Sequence, residues 1–315
     1  MMCRFVFVLF ASSLLASETL GAVSKIVFSE SFSDYASLST QWDLVADSPD
    51  TNLDVVDYRF VIAPTAFGIP EAPSSDLLSG PAQTGAYFQA NLRSGMASAV
   101  GLLSKDAFDL VSFELQFDVF LSTGGEALAQ NNATETVVWG VGRSTTEALS
   151  YAKRNTLGDG VWGWLATDNG FLQEDVALYQ DSTVLSDLGE TFDPEAPELF
   201  NTAFTPDPGI PNSAPLNDWI TVKLVYDGTK MDVLFNDVLF FSEPIVGEIT
   251  GPLYVGYADP FSSVSGSRSF QWGVIDNVIL RDTSIIPEPT TLSLALLGLF
   301  AFGRRSLGER PRIAC

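Results

Sequence analysis

The stretch Trp219-Ile220-Thr221-Val222-Lys223-Leu224-Val225-Tyr226, then Asp227-Gly228-Thr229-Lys230, then Met231-Asp232-Val233-Leu234-Phe235, decides the fold class. Apolar and polar residues alternate on both sides of the turn. A period of two places successive side chains on opposite faces of a strand, so each run reads as β with one face buried. Asp-Gly between two such runs is a strong hairpin signal, because glycine reaches the positive φ that tight hairpin turns require. Asn236-Asp237 then turns the chain again into Val238 to Phe241.

Working outward, the pattern repeats. In Phe108 to Leu121, Phe113, Leu115, Phe117 and Val119 alternate with Glu114, Gln116, Asp118 and Phe120, which sends the first set to a buried face and most of the second to solvent. Ile26 to Phe28, Trp42 to Val45, Leu53 to Ile62, Thr136 to Val141, Gly160 to Ala166, Phe171 to Tyr179, Leu253 to Tyr257 and Phe270 to Leu280 read as further strands. Tyr87 to Leu92 and Ala97 to Leu103 resemble a strand pair around Arg93-Ser94-Gly95. Pro64 to Pro81 reads as a surface loop, and Ser182 to Pro215, punctuated by six prolines, as a long irregular stretch. No segment of the body sustains a helical period. Many short strands with closely spaced turns predict an all-β, two-sheet antiparallel β-sandwich.

The two ends of the chain differ from this body. Met1 to Arg4 is short and positive, and Phe5 to Leu15 is an apolar run of signal-peptide length, with small-residue cleavage positions near Ala22. At the other end, Pro287-Glu288-Pro289 makes an extended joint, because proline blocks helix and sheet pairing. Thr291 to Phe302 is apolar, uncharged and helix-compatible, and Arg304-Arg305 follows. As a helix that run covers roughly 18 Å at about 1.5 Å per residue, against a bilayer core of about 30 Å, which makes it a marginal membrane span. The expected organisation is a signal peptide over 1–22, a β-sandwich over 23–284, and a tail over 285–315 with an apolar helix at 291–303 and a basic end at 304–315.

Composition narrows the chemistry. There is no histidine, which excludes Ser-His-Asp and Cys-His catalysis and His-ligated zinc. The only cysteines, Cys3 and Cys315, lie in the terminal segments, so the body contains no disulfide. The chain carries a net charge of −23. Setting aside Arg4, Arg304, Arg305, Arg310 and Arg312 with Glu18, Glu288 and Glu309, Val23 to Ile286 keeps 11 basic and 36 acidic residues, a net charge of −25. Such a body is repelled by nucleic acid phosphates and kept soluble by its surface.

The order Pro287-Glu288-Pro289, apolar segment, Arg304-Arg305 resembles the PEP-CTERM sorting signal of Gram-negative bacteria. Ser306 to Cys315 extends further past the arginines than is usual for that signal. The resemblance implies an exosortase-type membrane transpeptidase as partner. It also implies transient membrane attachment through the C-terminal helix, and a destination at the cell envelope, cell surface or extracellular matrix.

A second resemblance covers the body. The hairpins of Trp219 to Asn236, the ending Val274-Ile275-Asp276-Asn277-Val278-Ile279-Leu280 and the opening Phe28 to Trp42 are similar to concanavalin A-like jelly rolls, a group of lectins, laminin-G-like modules and glucanases. It implies either a non-catalytic module that binds glycan or exopolysaccharide, or a glycoside hydrolase. Jelly-roll glucanases carry Glu-x-Asp-x-Glu on one strand. Here the same-face positions are Glu114, Gln116 and Asp118, so a hydrolase would have to use Glu114 and Asp118, with a residue that cannot titrate between them. A third reading is an adhesive or structural matrix protein that binds no sugar. Trp162 and Trp164 share one side of a strand, with Trp139 in a neighbouring run. They either fill the core or form a platform for sugar rings. The resemblance also places Asp276 and Glu30 as oxygen ligands of a structural calcium.

Overall fold

The computed structural model describes residues 24–47, 55–73, 84–93, 97–122, 134–143, 146–150, 154, 159–167, 175–188, 196–205, 215–261 and 268–284. The expected signal peptide over 1–22, the Pro287-Glu288-Pro289 motif, the apolar helix over 291–303 and the basic end over 304–315 lie outside these residues. Among the described residues no helix is long and apolar enough to cross a membrane.

The chain opens with β1 (Lys25–Glu30), a short helix α1 (Tyr35–Gln41), β2 (Trp42–Ala46) and β3 (Asp57–Ile62). β4 (Gly85–Gln89), β5 (Ser98–Ser104), β6 (Phe108–Asp109), β7 (Phe113–Ser122) and β8 (Thr136–Val141) follow. Next come β9 (Val161–Ala166), β10 (Val176–Gln180), β11 (Thr183–Leu188) and a second helix, α2 (Ala196–Ala203). β12 (Trp219–Tyr226), β13 (Lys230–Phe235), β14 (Val238–Pro244), β15 (Thr250–Gly251), β16 (Leu253–Asp259) and β17 (Trp272–Asp282) complete it.

These strands form two large antiparallel sheets. The first runs β14-β13-β12-β7-β17-β4-β3, with β1 also on β17, and the second runs β11-β10-β9-β8-β16-β5-β2. β7 lies along one edge of β17; β4 and β1 share the other edge, β4 at Gly273–Ile275 and β1 at Val278–Asp282. Apolar residues of both sheets meet in one core. Phe117, Val119, Ile220, Val222 and Val278 come from the first sheet, and Val137, Trp139, Leu165 and Val255 from the second.

The hairpins of the organising stretch form as its residues dictate. The Asp227 carboxylate accepts from the Thr229 amide at 2.8 Å, the Thr229 hydroxyl at 2.7 Å and the Lys230 amide at 2.9 Å. Gly228 takes a φ of +96°. Asn236 and Asp237 both have positive φ, 49° and 63°, as a two-residue turn joining strands of right-handed twist requires.

Three expectations are corrected. Tyr87 to Leu92 and Ala97 to Leu103 do not pair. β4 bonds to β3 and β17 in the first sheet, β5 to β2 and β16 in the second, so the connection crosses between sheets. Two short helices interrupt the β pattern. The Asp34 side chain caps α1 by accepting from the Ser37 amide at 2.6 Å, but seven residues are too few to show a helical period. Inside the stretch read as irregular, Pro197 sits in the first turn of α2, where its missing N–H costs nothing. The helix buries Phe200 against Phe204 and Phe240, with ring centroids 5.5 and 5.6 Å away.

β9 shows how the second sheet is packed. Val161, Gly163 and Leu165 face inward, and Gly163 lies opposite Trp139 in the register. A Cβ on Gly163 would stand 2.3 Å from the Ala177 carbonyl oxygen and 2.9 Å from the Trp139 ring. The indole therefore occupies the space that a side chain at 163 would need. Gly163→Ala should cost about 1–3 kcal/mol, as overpacked cores do, and lower the urea midpoint with an unchanged slope. An unchanged midpoint would show that the indole does not fill that space.

Candidate functional site on the outer face of the first sheet

The expected sugar platform is not presented to solvent. Trp139 is 0 % exposed in the inter-sheet core, its ring 5.6 Å from that of Phe235. Trp162 and Trp164 point to the opposite face of the second sheet and are 0 % and 1 % exposed. There they join a separate apolar cluster with Tyr179, Tyr254, Ala148 and Leu149. Tyr179 stacks on Trp162 at 4.8 Å, and the Trp162 indole N–H donates to the Asp181 carbonyl at 2.8 Å. A ring covered by protein has no face left for a sugar, so the platform expectation is corrected at all three positions.

The outer face of the first sheet is different. One part is aromatic. Tyr87, Phe120, Trp219, Trp272 and Val274 cluster beneath Ile69 and Ala72, which belong to the segment read as a surface loop. The Trp219 indole N–H donates to the Pro70 carbonyl at 2.8 Å, which ties that segment down. At the rim of this cluster opens a trough of about 480 Å³, lined by Pro70, Glu71, Pro73, Asp218, Trp219, Thr221, Asn236 and Asp237. That volume lies within the usual range of small-ligand sites. β12 supplies Trp219 and Thr221, the β13–β14 turn supplies Asn236 and Asp237, and the covering segment supplies the prolines and Glu71.

The other part carries the carboxylates. Glu114, Gln116 and Asp118 share the outer face of β7, as the alternation predicts, but they are not equally open. Asp118 is 0 % exposed and accepts from the Thr221 hydroxyl at 2.8 Å and the Asn277 amide at 3.0 Å. Glu114 is partly exposed and bonded to Arg281 at 2.5 Å. A general acid must reach the bond it protonates. Asp118 is held by the protein instead, and this corrects the picture of a solvent-facing strand edge.

Asp276 lies directly across from Asp118 in the register, beside a bulge at which Asn277 adopts a φ of 52°. One Asp276 oxygen accepts from the Asn277 amide at 2.7 Å, and the other is buried without a hydrogen-bond partner. Burial, reinforced by Asp118 and Glu30, pushes its carboxyl up to about 8. Burial also raises Glu30. Both Glu30 oxygens are engaged, one by the Phe32 amide at 2.6 Å and one by the Ser37 hydroxyl at 3.0 Å. Calcium needs six to eight oxygens. Between Glu30 and Asp276, one carboxylate oxygen is spare, and no group of three or more acidic or cysteine side chains among the described residues could hold a metal. These side chains alone do not fit a calcium cage.

Glu71, Asp218, Trp219, Asn236 and Asp237 went unrecognised as site residues in the sequence. Asn236-Asp237 and Trp219 were legible there only as a turn and a strand start. Nothing in the spacing shows that the chain near Pro70 lies over them.

No family model and no curated protein sequence matches the chain. Among solved structures it is similar to a protein of unknown function with a galectin-like fold from Bacillus subtilis, at 8% identity over 82% of this chain and 98% of that one, with a TM-score of 0.45. It is also similar to a GlcNAcα1-4Gal-releasing endo-β-galactosidase from Clostridium perfringens, at 13% identity over 82% and 62%, with a TM-score of 0.43. A third is the carbohydrate-binding module CBM66 from Bacillus subtilis, at 10% identity over 62% and 85%, with a TM-score of 0.35. These likenesses assign no activity, and the sandwich is established by its own strand pairs.

The raised Asp276 carboxyl has a signed consequence. Its unfolded value is near 4, so the folded chain holds a proton there that the unfolded chain has released between about pH 4 and 8. Its contribution is fully present below about pH 4 and is lost as pH rises toward 8. Asp276→Asn, which mimics the neutral form, should gain on the wild type by roughly ten-fold or more in the folding equilibrium between pH 5 and 8, read from urea midpoints. A constant difference across that range would contradict the buried, protonated Asp276.

Proposed function

We propose that the protein is an exported surface or extracellular-matrix component whose β-sandwich binds glycan without cleaving it. The observation that carries this reading is the trough beside Trp219. It combines one apolar wall of indole and proline with several polar groups from separate elements, the usual make-up of a small-ligand site. The tail of Pro287, Glu288, Pro289, Arg304 and Arg305 supports sorting by an exosortase-type transpeptidase, and the acidic, disulfide-free body suits a protein kept soluble outside the cell. A structural calcium enters this proposal only through Asp276, the residue with a spare oxygen. Hydrolysis by Glu114 and Asp118 finds less support, because the one is ion-paired and the other sealed.

Affinity electrophoresis in a panel of neutral, amino-sugar and acidic polysaccharides tests the binding role. At least one gel should retard the wild type. The double substitution Glu71→Ala and Asp237→Ala removes exposed side chains, which seldom matter to folding, and should weaken retardation at least ten-fold. Trp162→Phe should leave it unchanged. Retardation by no polysaccharide, or retardation indifferent to the double substitution, would overturn the proposal.

A further inference from the structure

The hydrogen-bonding inventory of the trough says what kind of sugar it takes. Three side chains in its lining can donate, and they are largely committed. The Trp219 indole N–H goes to the Pro70 carbonyl, and the Thr221 hydroxyl to Asp118. The Asn236 amide gives one N–H to the Ala203 carbonyl at 2.9 Å, while its oxygen accepts from the Thr221 amide, also at 2.9 Å. The adjacent Lys223 ammonium is bonded to one oxygen of Asp237 at 2.5 Å.

Acceptors, by contrast, are spare. Glu71 is exposed and makes no hydrogen bond or ion pair among the described residues. Asp237 uses one oxygen on Lys223 and leaves the other. Asp218 accepts from the Trp219 amide at 2.8 Å and the Thr205 hydroxyl at 3.2 Å, which keeps its charge pointed at the same rim. Each carboxylate oxygen can take more than one hydrogen bond, whereas an ionised carboxylate donates none. Three carboxylates line the space, and the one cation beside them is already shared with Asp237.

We infer that this trough selects an amino-sugar unit, with a protonated amine set between Glu71 and Asp237 and its ring against Trp219 and the prolines. The inference rests on the glycan-binding reading above and adds the chemical class of the ligand. An ammonium brings three donors and no acceptor, the complement of what the lining offers. A uronate or sulfated sugar brings the opposite: it needs donors that the trough has spent, and it meets like charge. An N-acetylated sugar keeps its hydroxyls but trades the cation for a neutral amide, and so loses the charge-assisted bonds.

Isothermal titration of the full-length protein with a glucosamine oligomer, the matching N-acetylglucosamine oligomer and an oligogalacturonate tests this at low salt, at a pH where the amine is protonated. The glucosamine oligomer should bind at least ten-fold more tightly than the acetylated one, and the oligogalacturonate should show no heat. Glu71→Gln and Asp237→Asn should each remove most of that preference while leaving the weak acetylated binding in place. Raising the pH until the amine is neutral should do the same. Equal affinity for the two oligomers, with both lost on Glu71→Ala and Asp237→Ala, would overturn the amine preference and leave glycan binding standing. Binding of the oligogalacturonate would also overturn it. No binding of any sugar would remove the glycan-binding reading itself, and this inference with it.

Discussion

The contact between the Trp139 indole and the bare backbone of Gly163 governs which faces of this molecule remain available. With the ring filling the inward space over β9, the bulky residues on either side, Trp162 and Trp164, turn to the opposite face. There they are covered, together with Tyr179 and Tyr254, beneath Ala148 and Leu149. The second sheet is thus packed with apolar side chains on both faces. Groups that meet solvent on a sheet face are found on the first sheet, and so is the trough.

The same division explains what was legible in the sequence. The strands and the two hairpins could be read because alternation and turn chemistry are local: Asp227-Gly228 and Asn236-Asp237 dictate their own turns. The two-sheet class followed. What could not be read is which face of a strand is covered by distant chain. Alternation in Glu114-Leu115-Gln116-Phe117-Asp118 separates two faces correctly but cannot show that Thr221 and Asn277 close over Asp118. The tryptophans were recognised as important, and their burial depends on Leu149 and Tyr254, remote in sequence. The trough is the clearest case, since its walls come from residues 70–73, 218–221 and 236–237.

Acidic residues divide in a corresponding way. Those inside, Glu30, Asp118 and Asp276, are held by backbone amides, hydroxyls and a side-chain amide, and burial pushes Glu30 and Asp276 toward their neutral forms. Those at the trough rim stay in water and keep their charge available. A chain without disulfides or histidine in its body draws its stability from apolar burial and places its chemistry in carboxylates.

The central claim is that the trough beside Trp219 is where sugar binds. The six tryptophans give six indole N–H resonances, and titration of the isotope-labelled protein with a binding oligosaccharide follows them individually. The signal of Trp219 should move in proportion to occupancy while those of Trp139, Trp162 and Trp164 stay in place. Movement of Trp162 and Trp164 with Trp219 unchanged would put the sugar on the other sheet and contradict the account.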